Sequence, residues 1–363
     1  MKVCAWDLEG PLSHVDFAAE ICKLLEPKLK RERLGDFFNM VSNYDDYLID
    51  YPNIVKDLGI ESYEPGDTLR LLAPFYIWFF SNDELIQISK TRPGLNQGIK
   101  KTILSIKEND WNVFVISTSY TQHAYNIGNL LGIEQDHIYC TNLYVNELKS
   151  QIKDINESIY SLIDVIYAKY LQHNLKLETV IDDLNDYFWK NKESDYVKVM
   201  NQVVVRGGKR KEKALEEISK RVNYPISKMI VTGDSITDKD MLKRANKEGA
   251  FAISWNGNEY SVPYANIAVT SPDSIGILAV FNAYPNIWEF IEKWDQFYPE
   301  FKNEPKKIPV DLVGSEIREY FIKNKFVPII KNLKNLSSSK LEEIIKDQKL
   351  MRKKVRGWVG TLG

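Results

Sequence analysis

Cysteine is scarce in this sequence: the 3 present in 363 residues, Cys4, Cys22 and Cys140, are too few and too scattered for a disulfide framework or a zinc cluster. Reduced thiols in a cytoplasmic protein are the expectation. Charge of one sign is also missing. Lys+Arg 48 stand against Asp+Glu 50, a net charge of -2, which gives the whole chain no pull towards nucleic acid or an anionic membrane. No long apolar run occurs either. The most lipid-like stretch, Leu71-Leu72-Ala73-Pro74-Phe75-Tyr76-Ile77-Trp78-Phe79-Phe80, is about half the ~20 residues a spanning helix needs, and it carries a proline. It reads as buried helix. Asp7 and Glu9 interrupt the apolar start before a signal peptide's apolar segment could form, and no tandem repeat or low-complexity tract stands out. What remains is a chain that is 44% hydrophobic, enough for one substantial core domain with inserted or appended modules.

The beginning of the chain is the most informative stretch. Val3 to Trp6 is a short apolar run, compatible with a fully buried strand, that stops at two carboxylates, Asp7 and Glu9, and a Gly10-Pro11 turn. In an open α/β sheet ligands sit outside the carboxyl ends of the strands, so both carboxylates would stand where a substrate arrives. One such pair is a weak signal. Three further stretches in order strengthen it: Val113 to Ile116 ending in Ser117 with Thr118 as fallback, a helical pattern entered by a lysine-rich stretch, and Met229 to Thr232 ending in Gly233-Asp234 with Asp238 four residues on. Gly207-Gly208-Lys209-Arg210-Lys211 offers several lysines, and periodicity does not choose among them.

Between these stretches the chain reads largely helical. Residues 16–91 show apolar positions at helical spacing with breaks near Pro52, Pro65-Gly66 and Pro93-Gly94. Residues 147–205 repeat the pattern through Ile152, Ile155, Ile159, Leu162, Ile166 and Tyr170, and their acidic residues Asp182, Asp183 and Asp186 read as a solvated helix end or loop in preference to a second metal site. Ala250 to Ser254 and Ile267 to Thr270 read as strands. Residues 281–363 read as a helical extension whose basic end, Lys346, Lys349, Arg352, Lys353, Lys354 and Arg356, is expected to be an exposed terminal helix.

Taken jointly, these stretches resemble the four motifs of the haloacid dehalogenase superfamily, in particular its phosphoserine phosphatase-like members. The resemblance implies an α/β, Rossmann-like core with a parallel sheet, built from residues 1–15, 92–146 and 206–280, with a helical cap at 16–91 and a second, cap-like insert at 147–205. It implies a Mg²⁺-dependent phosphatase acting on a small phosphorylated metabolite through an aspartyl-phosphate. Asp7 would be the nucleophile and Glu9 the general acid and base; Asp7, the Glu9 carbonyl and Asp234 would hold the metal, with Asp238 as a further ligand or as an acceptor behind them. Ser117 and Lys211 would bind phosphate, Lys211 being chosen over Lys209 by alignment of the following helix with those relatives. His14, Asp16, Glu20, Arg33 and Arg70 are candidate substrate contacts in the cap.

The sequence departs from the usual pattern at Glu9, where most such phosphatases carry Asp, and at Ser235 and Thr237, where Gly and Asn are frequent. Some relatives with phosphotransferase activity share the Asp-x-Glu-Gly form, so transfer to an acceptor alcohol is an alternative outcome of the same chemistry. The opening Asp-x-Glu-Gly-Pro and the overall layout also resemble an archaeal family of related proteins known as subunits of an energy-converting hydrogenase. That resemblance implies a partner-binding role for the helical additions.

Overall fold

The unbroken apolar run at the start of the chain forms an interior strand of a sheet covered on both faces, as a strand without polar alternation should. The computed structural model describes residues 2–60 and 62–361. Seven strands, β1 (Lys2–Trp6), β2 (Trp111–Tyr120), β3 (Ile138–Thr141), β4 (Ile230–Gly233), β5 (Phe251–Trp255), β6 (Ile267–Thr270) and β7 (Ile329–Asn332), lie in the order β3-β2-β1-β4-β5-β6-β7. All neighbours are parallel except β6 and β7. This is the α/β, Rossmann-like architecture with a mostly parallel sheet. Cys4 and Trp6 point into one apolar cluster, with Val113, Val115 and the helix Ile99–Glu108. Val3 and Ala5 point into the other, against the helices Lys209–Arg221 and Lys239–Lys247. In register, Trp6 lies beside Val115 on one side and Thr232 on the other. Asp7 and Asp234 therefore leave the sheet at the same edge.

The two helical insertions, separated in sequence by β2 and β3, share one apolar cluster. Phe17, Phe37, Tyr44 and Phe75 of the first pack with Tyr167, Leu184, Phe188 and Tyr196 of the second. Phe37 touches both Phe75 and Tyr167, ring centroids 5.4 and 5.5 Å apart. Cross-links are polar as well: the Tyr44 hydroxyl donates to Asn185 at 2.6 Å, and Trp189 donates to Tyr44 at 2.9 Å. The two insertions pack together over the carboxyl edge.

The extension at 281–363 is not wholly helical. Its residues Ile329–Asn332 add β7 antiparallel to β6, Ile330 beside Val269, which covers an edge that would otherwise expose unpaired amides. Beyond it, the helix Ser338–Arg356 runs back to the carboxyl edge of the sheet, capped at its start by Ser337. Among the described residues no helix is long and apolar enough to cross a membrane.

Candidate active site

Two turns build the site. After β1 the chain passes through Gly10, at φ 124°, where a β-carbon would fall 2.2 Å from Asp234 Oδ2. Only glycine lets this turn lie against that carboxylate. Asn96 holds the turn from behind, its amide donating to the Gly10 and Pro11 carbonyls at 2.5 and 2.9 Å. After β4, Asp238 Oδ2 accepts from the Asp234 and Ser235 amides at 2.9 and 3.1 Å and folds the loop back on itself. Gly233 is required there too, since a β-carbon would meet Asp238 at 2.6 Å.

Lys211, in the first turn of its helix, is fully buried and bridges the two turns. Its ammonium donates to Asp7 Oδ1 at 2.6 Å and Asp238 Oδ1 at 2.7 Å. Burial works against its charge, but Asp238 and Asp7 outweigh it and hold the ammonium above its usual value. Lys209 is exposed. Carboxylate oxygens of Asp7, Asp234 and Asp238 lie within 4.8 Å of one another, a spacing one cation can span. The Oδ1 of Asp234 is buried without a hydrogen-bond partner, which suits it to coordinate a cation. Asp238 gives one oxygen to Lys211 and the other to the loop amides, which matches the acceptor role that positions the other groups.

Burial, then the neighbouring Asp238, pushes the Asp7 carboxyl up to about 6, with Lys211 and the Leu8 amide pulling the other way. Glu9 is pushed further, to about 8, by burial and by Asp16, against Ser119, the Phe17 amide and Arg356. Glu9 Oε1 accepts that Phe17 amide at 3.2 Å, so the acid is fastened to the first helix of the helical layer, Phe17–Leu24. A carboxyl that keeps its proton near neutrality can donate it.

The second-motif hydroxyl differs from the reading of the sequence. Ser117 is fully buried and its Oγ accepts from the Ser119 amide at 3.1 Å, whereas Thr118 lines the cavity beside Asp7 and Glu9 with a buried Oγ1 that has no partner. The pairing of β2 with β3 shifts register between Ile116 and Tyr120, the stretch that holds both hydroxyls.

The basic tail is the larger correction. Arg352 and Arg356 are not solvated: their side chains are 3% and 5% exposed, and both guanidiniums donate to Asp234 Oδ2, Arg356 at 3.2 Å. The cap candidates separate as well. Asp16 caps Phe17–Leu24, accepting from Ala19 at 2.9 Å, and lines the cavity. His14 presents its backbone oxygen to Arg356. Glu20, Arg33 and Arg70 are taken up in ion pairs with Arg92, Asp36 and Asp67. Asp183 and Asp186 pair with Lys169 and Lys190 at the surface.

The cavity itself is small, about 90 Å³, and its far wall is acidic, with Asp45 and Asp46 on the helix Leu34–Asp50. Asp45 accepts from the Tyr63 hydroxyl at 2.7 Å and the Gly66 amide at 2.9 Å. Burial, then Asp46, raises it from 3.8 to about 8. The folded chain thus holds a proton that the unfolded chain releases, so this group's stability contribution is full below about pH 4 and lost as pH rises through about 8. Asp45→Asn, which keeps the shape without the charge, is expected to lose less stability than wild type between about pH 5 and pH 8. Urea midpoints at the two pH values check it; equal drops would count against a buried, protonated Asp45.

A family model described as haloacid dehalogenase-like hydrolase matches residues 77–281, more than half of the sequence, and the chain belongs to that family. In three dimensions it is similar to a gene product of Archaeoglobus fulgidus, with 25% identity and a TM-score of 0.71 over 100% of this chain and 99% of that one. More distant are a substrate-bound phosphoserine phosphatase (14% identity, TM-score 0.45, 76% of this chain and 96% of that one) and a hydrolase of the same family from Salmonella enterica serovar Typhi (12%, 0.41, 71% and 63%). No curated protein matches its sequence.

Proposed function

We propose that the protein is a Mg²⁺-dependent phosphatase that hydrolyses a small phosphate ester through an aspartyl-phosphate on Asp7. The observation that carries this reading is the convergence of Asp7, Asp234 and Asp238 on one buried point, with Lys211 bridging two of them. Asp7 and Asp234 would hold the cation, which when bound would offset the charge of carboxylates and phosphate that otherwise repel. Asp7 attacks phosphorus and the bond to the leaving oxygen breaks. Glu9, protonated near neutrality, gives that oxygen its proton. Glu9 then takes a proton from the water that attacks the aspartyl-phosphate, releasing inorganic phosphate and restoring Asp7. Lys211 holds charge against Asp7 throughout, and Thr118 offers its hydroxyl to the phosphoryl oxygens.

The cavity, about 90 Å³ against the roughly 300 Å³ or more of pockets that bury drug-sized ligands, favours a compact ester, and movement of the helical layer would admit a larger one. Phosphate release from a broad panel of phosphorylated metabolites, with Mg²⁺ and with EDTA, tests the reading. Release from one chemical class, stopped by EDTA and restored by Mg²⁺, is expected. A second reading, a chain that binds a partner and turns nothing over, is favoured by the two arginines already seated on Asp234. Silence across the whole panel from folded protein would replace the first reading with the second.

A further inference from the structure

Helix Ser338–Arg356 docks on the catalytic edge with an unusual face. Gln348, Arg352 and Arg356 recur every four residues and point inward, buried, while Leu350 points to solvent at 60% exposure. Burying polar groups in preference to apolar ones is costly unless they find partners, and each of these side chains has polar partners. Gln348 Oε1 accepts from Ser254 Oγ at 3.0 Å and the Gly257 amide at 2.6 Å, and its amide donates to the Ser254 carbonyl at 3.0 Å. That grip at the end of β5 fixes the helix one turn before Arg352. Both guanidiniums then converge on a single oxygen, Asp234 Oδ2, and line the same cavity as Asp7 and Glu9.

The consequence concerns how ions enter. A divalent cation settling on Asp7 and Asp234 meets two guanidinium charges bonded to the same carboxylate, as well as the Lys211 ammonium on Asp7. In a buried site such like charges repel strongly. A phosphate-type dianion arriving beside the cation reverses the balance, because guanidiniums bind phosphoryl oxygens in paired hydrogen bonds. We propose that Arg352 and Arg356 are phosphate-binding residues held in reserve on Asp234, which make cation and phosphate bind together and the cation alone bind weakly. The proposal rests on the reading of Asp7 and Asp234 as cation ligands. The other groups facing the pair are Asp7, Glu9, Asp16 and His14, and burial and the Arg356 charge both hold the His14 imidazole towards its neutral form, so none of them adds a cation.

Binding without turnover tests this. Mn²⁺ is titrated into the full chain and the free ion read by electron paramagnetic resonance, with and without inorganic phosphate, after correction for pairing of the two in solution. In wild type, phosphate is expected to tighten Mn²⁺ about tenfold or more, and by reciprocity Mn²⁺ to tighten phosphate by the same factor. In the double variant Arg352→Gln and Arg356→Gln, Mn²⁺ alone should bind more tightly than in wild type, and the coupling should shrink towards none. Equal Mn²⁺ affinity in wild type with and without phosphate overturns the proposal while leaving the cation site intact, and it does so even if the variant does not fold. Absence of Mn²⁺ binding to wild type under either condition overturns both the proposal and the phosphatase reading beneath it.

Discussion

Asp7→Asn is expected to lower phosphate release by roughly a thousandfold or more while leaving the fold at least as stable as wild type. Both halves follow from the same geometry. The amide is nearly the shape of the carboxylate but cannot attack phosphorus, and loss of a covalent nucleophile is among the largest single effects known in catalysis. Stability moves the other way, because the fold disfavours the ionised Asp7: burial and Asp238 raise its carboxyl to about 6 in spite of Lys211. A raised folded value means the carboxyl's contribution is full below its ordinary pKa of about 4 and lost as pH rises through about 6, so above that the charge is a cost. Asparagine removes it, and Lys211 keeps Asp238 as a partner at 2.7 Å. Steady-state phosphate release together with a urea midpoint near pH 8 checks both. Full activity in the variant would end Asp7's assignment as nucleophile; lost activity with a large drop in midpoint would mean only that the fold had been damaged.

How much of this was legible follows from how local each signal is. Asp7, Gly10, Asp234 and Asp238 sit in two short turns directly after apolar runs, so strand ends and carboxylates announce themselves together. Lys211 needed a comparison with relatives, because nothing in Lys209-Arg210-Lys211 says which residue begins the inward face of a helix; burial of Lys211 and exposure of Lys209 decide it. Ser117 and Thr118 differ by one position, adjacent residues of a strand face opposite ways, and nothing in the sequence says which of the two faces the cavity. The arginines were hidden for a different reason. Arg352 lies 118 residues from Asp234, and a charged terminal stretch is ordinarily solvated. A signal was present nonetheless: Gln348, Arg352 and Arg356 share one helical face while Lys349, Lys353 and Lys354 lie off it, and those three polar residues are the helix's buried positions. The same limits apply to the helical layer, whose two halves each show helical spacing but carry no mark that they share a core.

Lys211→Met is expected to destabilise the protein by about 3–5 kcal/mol, the range seen when one partner of a buried ion pair is removed. Wild type buries a cation between two carboxylates with no access to water, Lys211 at 0% exposure and Asp238 likewise. Methionine fills the volume but leaves Asp7 and Asp238 facing each other without the charge that separates them. Asp7 then loses the influence that keeps its value from rising above about 6. Its proton is retained to higher pH in the folded variant, so the variant's deficit should be smallest below about pH 6, where Asp7 is protonated in both proteins, and should grow as pH rises past it. Urea unfolding of both proteins across that range checks the sign as well as the size. A deficit that is constant with pH would mean that Lys211 contributes packing and not charge, and would remove the electrostatic reason for placing it at the phosphate.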